Sequence, residues 1–152
     1  MLKFANTKMA TTLRQLGVSF EIPDEHNSQV LTTGETYMMD VHVEQWTEKD
    51  SRGARHMVAI SSYGQQNGDA MADPDILCEV IIDGDWKTGT IYLRPYHYQN
   101  DYLGIFQEFW VFKDDKVLVN AKGITSLCSF LNDWAYSIKA SGYKLKVKEE
   151  KP

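Results

Sequence analysis

The sequence lacks the features that mark membrane proteins and disulfide-rich secreted proteins. Its apolar runs are far shorter than a membrane span, and residues 1–6 contain no apolar signal-peptide core. It has two cysteines, Cys78 and Cys128, which form neither a disulfide framework nor a zinc-spaced cluster. We therefore expect a soluble protein with reduced cysteines, located in the cytoplasm and without a membrane partner.

Common catalytic and cofactor motifs are missing as well. The chain contains no Gly-x-Ser-x-Gly string, no Walker loop and no Gly-x-Gly-x-x-Gly loop. Its histidines do not have the spacing of a metal site; they are His26, His42, His56 and His97. We therefore predict no cofactor, no metal ion and no catalytic residue.

Basic residues are scarce in the middle of the chain. The net charge is −5, and residues 63–115 carry three basic and ten acidic side chains, a net −7, whereas residues 116–152 carry seven basic and three acidic, a net +4. A broad nucleic-acid-binding face needs clustered lysine and arginine, so the acidic middle argues against one. The basic string 144–148 is more typical of a solvated last strand or frayed terminus than of a surface that contacts an anionic partner. We expect the partner to be a protein.

The rest of the composition is typical of one globular domain. Apolar residues make up 43% and charged residues 24% of the 152 positions, which suffices for a single hydrophobic core. We predict one domain over residues 1–152, with a disordered tail from about residue 148.

Helical patterns stand at both ends of the chain. Residues 6–16 predict a short helix with Asn6 as its N-cap and Gly17 just after its end. Residues 124–138 have apolar side chains at spacings of three and four, which predict a second helix capped by Thr125 or Ser126.

The region between the helices reads as strands joined by polar connections. Alternating or continuous apolar segments predict strands at 18–22, 37–46, 56–63, 76–82, 90–93, 105–112 and 117–119. Turn-forming and polar residues predict connections at 24–35, 47–55, 64–75 and 95–104. The predicted fold class is α+β: a curved antiparallel sheet of five to seven strands, with the N- and C-terminal helices packed on one face.

Two polar segments and the strand carboxylates are the candidate site. The segment 63–75 is crowded with amides and carboxylates, and the segment 92–102 is unusually rich in tyrosine, a side chain that anchors protein partners. Both also suit ordinary turns and sheet-edge packing. As binding residues we predict Tyr63, Gln66, Asn67, Asp69, Asp73, Glu79, Arg94, Asn100, Asp101, Tyr102 and Glu108.

Glu79 is the most unusual position, because it interrupts an apolar strand. A carboxylate there must face solvent or have a partner, since desolvation disfavours its charge. The candidate partners are Arg94, Arg14, a tyrosine hydroxyl or a metal ion. Glu108 poses the same question on another predicted strand, and the two carboxylates share one face if those strands are near neighbours.

Three metal-dependent alternatives remain open at this point. The first is a hydrolase that acts through Asp69, Asp73, Glu79 and Asp101. The second is a nuclease-like string, in which Pro74-Asp75 is followed by Asp85-Trp86-Lys87. The third is calcium bound by oxygen ligands in the segment 67–75, although their order departs from the EF-hand pattern.

The strings Tyr63–Pro74 and Asn100–Gly104 resemble a family of uncharacterised bacterial proteins carried on plasmids and integrative elements. In that family, a Tyr-Gly-x-Gln-Asn-Gly-Asp-x-Met-x-Asp-Pro string is followed by a strand Glu, here Glu79, by an Asn-Asp-Tyr-x-Gly turn and by a Gln-Glu pair, here Gln107-Glu108. The resemblance covers roughly residues 56–112. It implies that the two polar segments and the strand carboxylates belong together, and it implies a bacterial, intracellular origin. It implies no activity.

The favoured function is therefore a non-enzymatic binding or accessory protein of a bacterial mobile element, which uses the polar-aromatic surface. The alternative is the metal-dependent hydrolase. A catalytic site predicts carboxylates that converge within about 4–6 Å. A binding surface predicts exposed tyrosines and carboxylates paired to backbone amides.

Overall fold

The computed structural model describes residues 3–50, 53–66, 69–113 and 116–146. The predicted tail from residue 148 lies outside these ranges. The elements, in chain order, are α1 (Lys8–Gln15), β1 (His26–Thr32), β2 (Val41–Asp50), β3 (Gly53–Gln66), β4 (Asp69–Asp83), β5 (Thr90–Asn100), β6 (Ile105–Glu108), β7 (Trp110–Lys113), β8 (Lys116–Val119), α2 (Ala121–Ala140) and β9 (Lys144–Leu145).

Seven strands form one antiparallel sheet in the order β6-β5-β4-β3-β2-β1-β9, and β7 pairs with β8 in a separate hairpin. The α+β class and the antiparallel sheet are confirmed. The sheet is not strongly curled, so the predicted curvature is not confirmed. Strands β1 to β6 each pair with their neighbours along the chain, whereas β9 pairs with β1 and forms the opposite edge of the sheet.

Strand pairing divides the sheet into two faces with different side chains. Directly paired residues share a face, so Ile60 and Ile76 lie together on the face whose side chains are buried. Side chains of both helices, such as Leu13 and Leu131, belong to the same buried cluster. We call the other side the open face; it carries Glu44, Arg55, Met57, Asp75, Leu77, Glu79, Arg94, His97, Phe106 and Glu108.

Both helices were predicted, and their ends have clear local causes. The Asn6 side chain accepts a hydrogen bond of 3.0 Å from the Met9 N–H, and Gly17 takes a φ of +100°, which ends α1. Helix α2 starts earlier than predicted, because Asn120 caps it by accepting a bond of 2.9 Å from Gly123 N–H. The prediction of Thr125 or Ser126 as its cap is therefore wrong.

The predicted strand at 18–22 and loop at 24–35 are both wrong. Residues 18–25 form no strand, because the backbone of Ser19 bonds to side-chain amides in place of a neighbouring strand. Gln29 accepts from its N–H at 2.8 Å and donates to its C=O at 3.0 Å, and Gln45 donates to the same C=O at 2.7 Å. Strand β1 takes up much of the predicted loop, and its polar side chains are exposed near the sheet edge.

Three predicted connections belong largely to strands. The β2–β3 ladder continues to the Asp50–Gly53 pair, the β3–β4 ladder to the Gln66–Asp69 pair, and β5 runs to Asn100. The connections at 47–55, 64–75 and 95–104 are therefore shorter than predicted. Their polar residues still pair through the backbone, and hydrogen bonds of the main chain do not depend on side-chain polarity.

Two irregularities interrupt the long strands. The β4–β5 register shifts between Leu77 and Cys78, which leaves Tyr96 as an extra residue in β5. The β3–β4 register shifts between Ser61 and Tyr63, opposite the cis Asp73-Pro74 bond. Proline has no N–H to donate to a ladder, so it is tolerated where regular pairing stops.

The predicted strand at 105–112 is divided in two. Phe109 is buried, and its N–H donates to Tyr96 C=O at 2.9 Å while its C=O accepts from Asn120 N–H. Trp110 then turns away and donates its indole N–H to Pro95 C=O at 2.8 Å. The chain therefore leaves the sheet at Phe109 and forms the β7–β8 hairpin.

Candidate binding site

The two polar segments meet where β5 ends beside β4. The Asp101 carboxylate accepts a bond of 2.8 Å from Ala72 N–H, and the Asp101 N–H donates 2.8 Å to Ala72 C=O. The Asn100 side chain donates 3.0 Å to the Asp73 carboxylate and accepts from Leu103 N–H. We call these four residues, Ala72, Asp73, Asn100 and Asp101, the junction. Its polar groups hold one turn against the neighbouring strand.

Two tyrosines stand beside the junction with their rings exposed. The Tyr63 hydroxyl donates to the Asp75 carboxylate at 3.1 Å, and the Tyr102 hydroxyl lies over Gly64, where a Cβ atom would overlap it. The two tyrosines are 44% and 45% exposed, and the next residue, Leu103, is 68% exposed. Partly exposed, partly held aromatic rings are typical of contact surfaces for proteins.

A second group of side chains surrounds Glu79 further along the open face. The Tyr96 hydroxyl donates to Glu79 Oε1 at 3.0 Å, and Arg94 Nη1 lies 3.9 Å from the same oxygen. Arg55 donates to the Tyr96 hydroxyl at 3.0 Å and to Asp50 and Glu48 at 2.8 and 3.2 Å. Two of the candidate partners of Glu79, Arg94 and a tyrosine, are therefore present. We call Arg55, Glu79, Arg94, Tyr96 and Trp110 the Glu79 cluster.

Aromatic rings and guanidinium groups alternate within the Glu79 cluster. The Tyr96 and Trp110 rings stack with centroids 5.7 Å apart. The Arg55 guanidinium lies 5.4 Å from the Tyr96 centroid, and that of Arg94 lies 5.3 Å from the Trp110 centroid. These distances are within the range of cation–π attraction. This part of the open face thus already accommodates cations against aromatic rings.

The local environment shifts the pKa of several groups. Burial raises the pKa of Tyr96, and the negative charge of Glu79 raises it further. Burial also raises the pKa of Asp75. Hydrogen bonds from Gln99 and from the Ala72 N–H lower the pKa of Asp101. The carboxylates therefore differ in environment, and each of those in the junction already has a partner inside the fold.

The predicted site residues fall into separate places. Asp73, Asn100 and Asp101 form the junction, with Tyr63 and Tyr102 beside it, whereas Glu79 and Arg94 lie in the Glu79 cluster. Asp73 and Glu79 are six residues apart on β4, about 20 Å along a strand. Asp69 starts β4, and Glu108 pairs with His97 on the open face. Asn67 and the side chain of Gln66 lie outside the described residues.

The metal-dependent alternatives do not match this arrangement. Asp73 and Asp101 both belong to the junction, but Glu79 lies about 20 Å further along β4. Among the described residues no three His, Cys, Asp or Glu side chains could hold a metal ion. The two parts of the nuclease-like string are not brought together either, since the length of β4 from Asp75 to Asp83 separates Asp75 from Asp85. For the calcium alternative, two of the carboxylates in the segment 67–75 already have partners in the fold: Asp73 accepts a hydrogen bond from Asn100, and Asp75 accepts one from Tyr63.

Sequence reasoning missed Arg55, Trp110 and Glu48. The predicted strand began at residue 56, one position too late to include Arg55. The signal was present, since Arg55 and Met57 are two apart and therefore share a face of a strand. Trp110 was placed inside a continuous strand, and no sequence pattern indicated that the chain turns there.

Fold and site together define an α+β protein with an antiparallel meander and an open polar-aromatic face. The family model of a domain of unknown function, DUF6908, matches residues 12–144, and the chain belongs to this family. No curated protein and no solved structure matches the chain. No helix in the part of the chain that the structure describes has the length and apolar character needed to span a bilayer.

Proposed function

We propose that this chain is a non-enzymatic binding protein that recognises another protein through its open face. The observation that carries the proposal is the contrast between satisfied carboxylates and exposed aromatic side chains. Asp73, Asp75 and Asp101 are bonded within the fold, whereas Tyr63, Tyr102, Leu103 and Phe106 are exposed at the same end of the sheet. Exposed rings on a rigid ladder provide contact area at little entropic cost.

The proposal takes both helices to cover the opposite face of the sheet, which leaves the open face accessible. Support comes from the buried cluster, in which Leu13 and Leu131 from the helices accompany Ile60, Ile76 and Cys78. The fold then has one structural face and one face for recognition. The tyrosine-rich end belongs to the second.

Site-specific photo-crosslinking tests the proposal. A benzoylphenylalanine placed at Tyr102 should give crosslinked adducts of defined mass in cells that make the protein. The matched control is the same residue at Tyr136, which is 71% exposed on α2. Adducts from position 102 that are missing at position 136 support the proposal. Equal adducts from both positions, or none from either, contradict it.

A thermal-shift series separates binding from metal-dependent hydrolysis. The wild type and Glu79→Gln are heated with Mg²⁺, Mn²⁺, Zn²⁺ or Ca²⁺, because a ligand held only by the folded state raises the melting temperature. The proposal expects no metal-dependent shift that differs between the two proteins. A shift of the wild type that Glu79→Gln abolishes would overturn it in favour of a hydrolase.

We propose further that the protein is cytoplasmic and serves a bacterial mobile element. The support is the resemblance of Tyr63–Pro74 and Asn100–Gly104 to proteins carried on plasmids and integrative elements. Curing cells of those elements should remove the protein, and cell fractionation should recover it with the cytoplasm. Retention after curing would contradict the first part, and recovery with membranes the second.

A further inference from the structure

A concave pocket lies on the open face between the Glu79 cluster and the sheet edge. Its volume is about 400 Å³. Six side chains line it. Four are aromatic, one is aliphatic and one is a carboxylate: Tyr96, His97, Phe106, Trp110, Leu77 and Glu108. The Phe106 ring packs edge-on against His97 with centroids 4.3 Å apart, and Phe106 is 65% exposed. The pocket is thus an open, mostly aromatic depression with one acidic group.

The side chains that line this pocket suit a cation. Aromatic faces attract ammonium and guanidinium groups, and two of the lining rings, Tyr96 and Trp110, already contact Arg55 and Arg94 in this way. Glu79 balances Arg94, and Glu48 and Asp50 balance Arg55. Glu108 is exposed, and no cation within the described ranges forms an ion pair with it. Its carboxylate therefore remains available to a ligand.

The pocket adjoins a sheet edge that can accept another strand. Because Phe109 N–H donates to Tyr96 C=O, the alternation of an antiparallel ladder directs the backbone groups of Phe106 and Glu108 away from β5. Among the strands that the structure describes, none pairs with that side of β6. The same two residues thus offer side chains to the pocket and backbone groups to an added strand.

We propose that a basic, extended segment of the partner protein pairs with the edge of β6 and places a lysine or arginine side chain in this pocket. The net charge of −7 over residues 63–115 favours a basic segment over an acidic one. This inference rests on the proposed function, because it names the chemistry of the partner for the same face.

Nuclear magnetic resonance with two probes tests the inference. The first probe is butylguanidinium chloride, and the second is a capped peptide of sequence Thr-Val-Thr-Arg-Thr-Val-Thr. Both should shift the amide signals of Leu77, His97, Phe106 and Glu108 in a saturable way. The peptide should also slow hydrogen exchange of the Phe106 and Glu108 amides, which face the free edge. The same peptide with glutamate in place of arginine should bind at least about ten-fold more weakly.

Glu108→Gln is the decisive variant, since it removes the charge of an exposed side chain without changing its shape. It should weaken both probes about five-fold, whereas Glu44→Gln, on the same face but on β2, should not. Unsaturable shifts, equal binding by Glu108→Gln, or equal binding of the glutamate peptide would overturn the inference. So would a concentration-dependent dimer through β6 in sedimentation equilibrium, because a second copy would then occupy the edge.

Failure of this inference is distinguishable from failure of the proposed function. If Glu108→Gln binds both probes normally while crosslinks at Tyr102 persist, the partner is not basic but the open face still binds a protein. If crosslinks at Tyr102 and probe binding are both missing, the proposed function fails as well.

Discussion

The Tyr96 hydroxyl lies between Glu79 and Arg55, donating to the first at 3.0 Å and accepting from the second at 3.0 Å. One oxygen therefore joins an acid on β4 to a base on β3. Because Tyr96 is the extra residue of the β5 irregularity, the strand geometry itself brings the hydroxyl to this place.

Removal of this hydroxyl should destabilise the fold. Tyr96→Phe keeps the ring but leaves Glu79 and Arg55 without a shared partner, so the free energy of unfolding should fall by about 1–3 kcal/mol. Urea unfolding measures the change. Tyr92→Phe, four residues away on the same strand, should change the free energy of unfolding by less than about 0.5 kcal/mol. Equal effects of the two substitutions would show that the hydroxyl contributes nothing.

The charge of Glu79 should be detectable at Tyr96. Burial and the Glu79 charge both raise the pKa of Tyr96, and Glu79→Gln removes the second cause. The pKa of Tyr96 should therefore fall toward its ordinary value without reaching it, because burial remains. Phenolate absorbance followed by pH titration, with Tyr96→Phe to assign the signal, measures the shift. An unchanged pKa would contradict the contact.

Asp101 should make the junction sensitive to acid. The hydrogen bonds from Gln99 and from the Ala72 N–H lower its pKa in the folded state. Its contribution to the stability of the fold is therefore complete above the ordinary carboxyl pKa and disappears as the pH falls through the lowered pKa. Asp101→Asn should therefore lower the melting temperature at pH 7 by a few degrees and have less effect at pH 2.5. The control is Asp133→Asn on the exposed side of α2. A difference that is the same at both pH values would count against this account.

His56 should cause a separate loss of stability at mildly acidic pH. Burial lowers its pKa from 6.5 to about 4. The unfolded chain therefore binds a proton first, and stability falls as pH drops from about 6.5 toward 4, by about 2 kcal/mol between pH 7 and pH 4.5. In His56→Gln this pH dependence should vanish, whereas in the exposed His26→Gln it should persist. Parallel curves for wild type and His56→Gln would refute the assignment.

Gly64 and Tyr102 should be coupled in stability. A methyl group at position 64 would overlap the Tyr102 hydroxyl, so Gly64→Ala should cost about 1 kcal/mol. In a Tyr102→Ala background the same substitution should cost less, giving a coupling of about 0.5–1 kcal/mol in a double-mutant cycle. Additive effects would mean that the ring does not rest on Gly64.

Much of the architecture was predictable because it depends on the alternation of apolar and polar residues in strands and on the residues that cap helices. Strand β4 was recognised from its apolar residues, although only alternate residues of it are buried and the others lie on the open face. The extent of the strands was not predictable, because polar segments such as 69–75 and 95–100 form ladders through their main chains. Composition alone reads those segments as loops.

The candidate site was predictable only in parts. The bond between Asp73 and Asn100 joins two segments that the sequence already singled out, and Glu79 has one of its expected partners in Arg94. The separation between the junction and the Glu79 cluster was not foreseen, because it depends on the length of β4. Arg55 was missed because its strand starts three residues earlier than the pattern indicated.

The extra residue in β5 adds a side chain to the open face without changing which way the rest of the strand faces. Tyr96 and His97 are consecutive yet both line the open-face pocket, which a regular strand does not allow. Deleting Tyr96 would make Pro95 and His97 consecutive opposite Cys78 and Leu77, so the rest of β5 would keep its faces and Asn100 its bond to Asp73. Such a deletion would instead remove one ring of the pocket and the hydroxyl that joins Glu79 to Arg55, so family members with a gap at this position should keep the sheet and lack the Glu79 cluster.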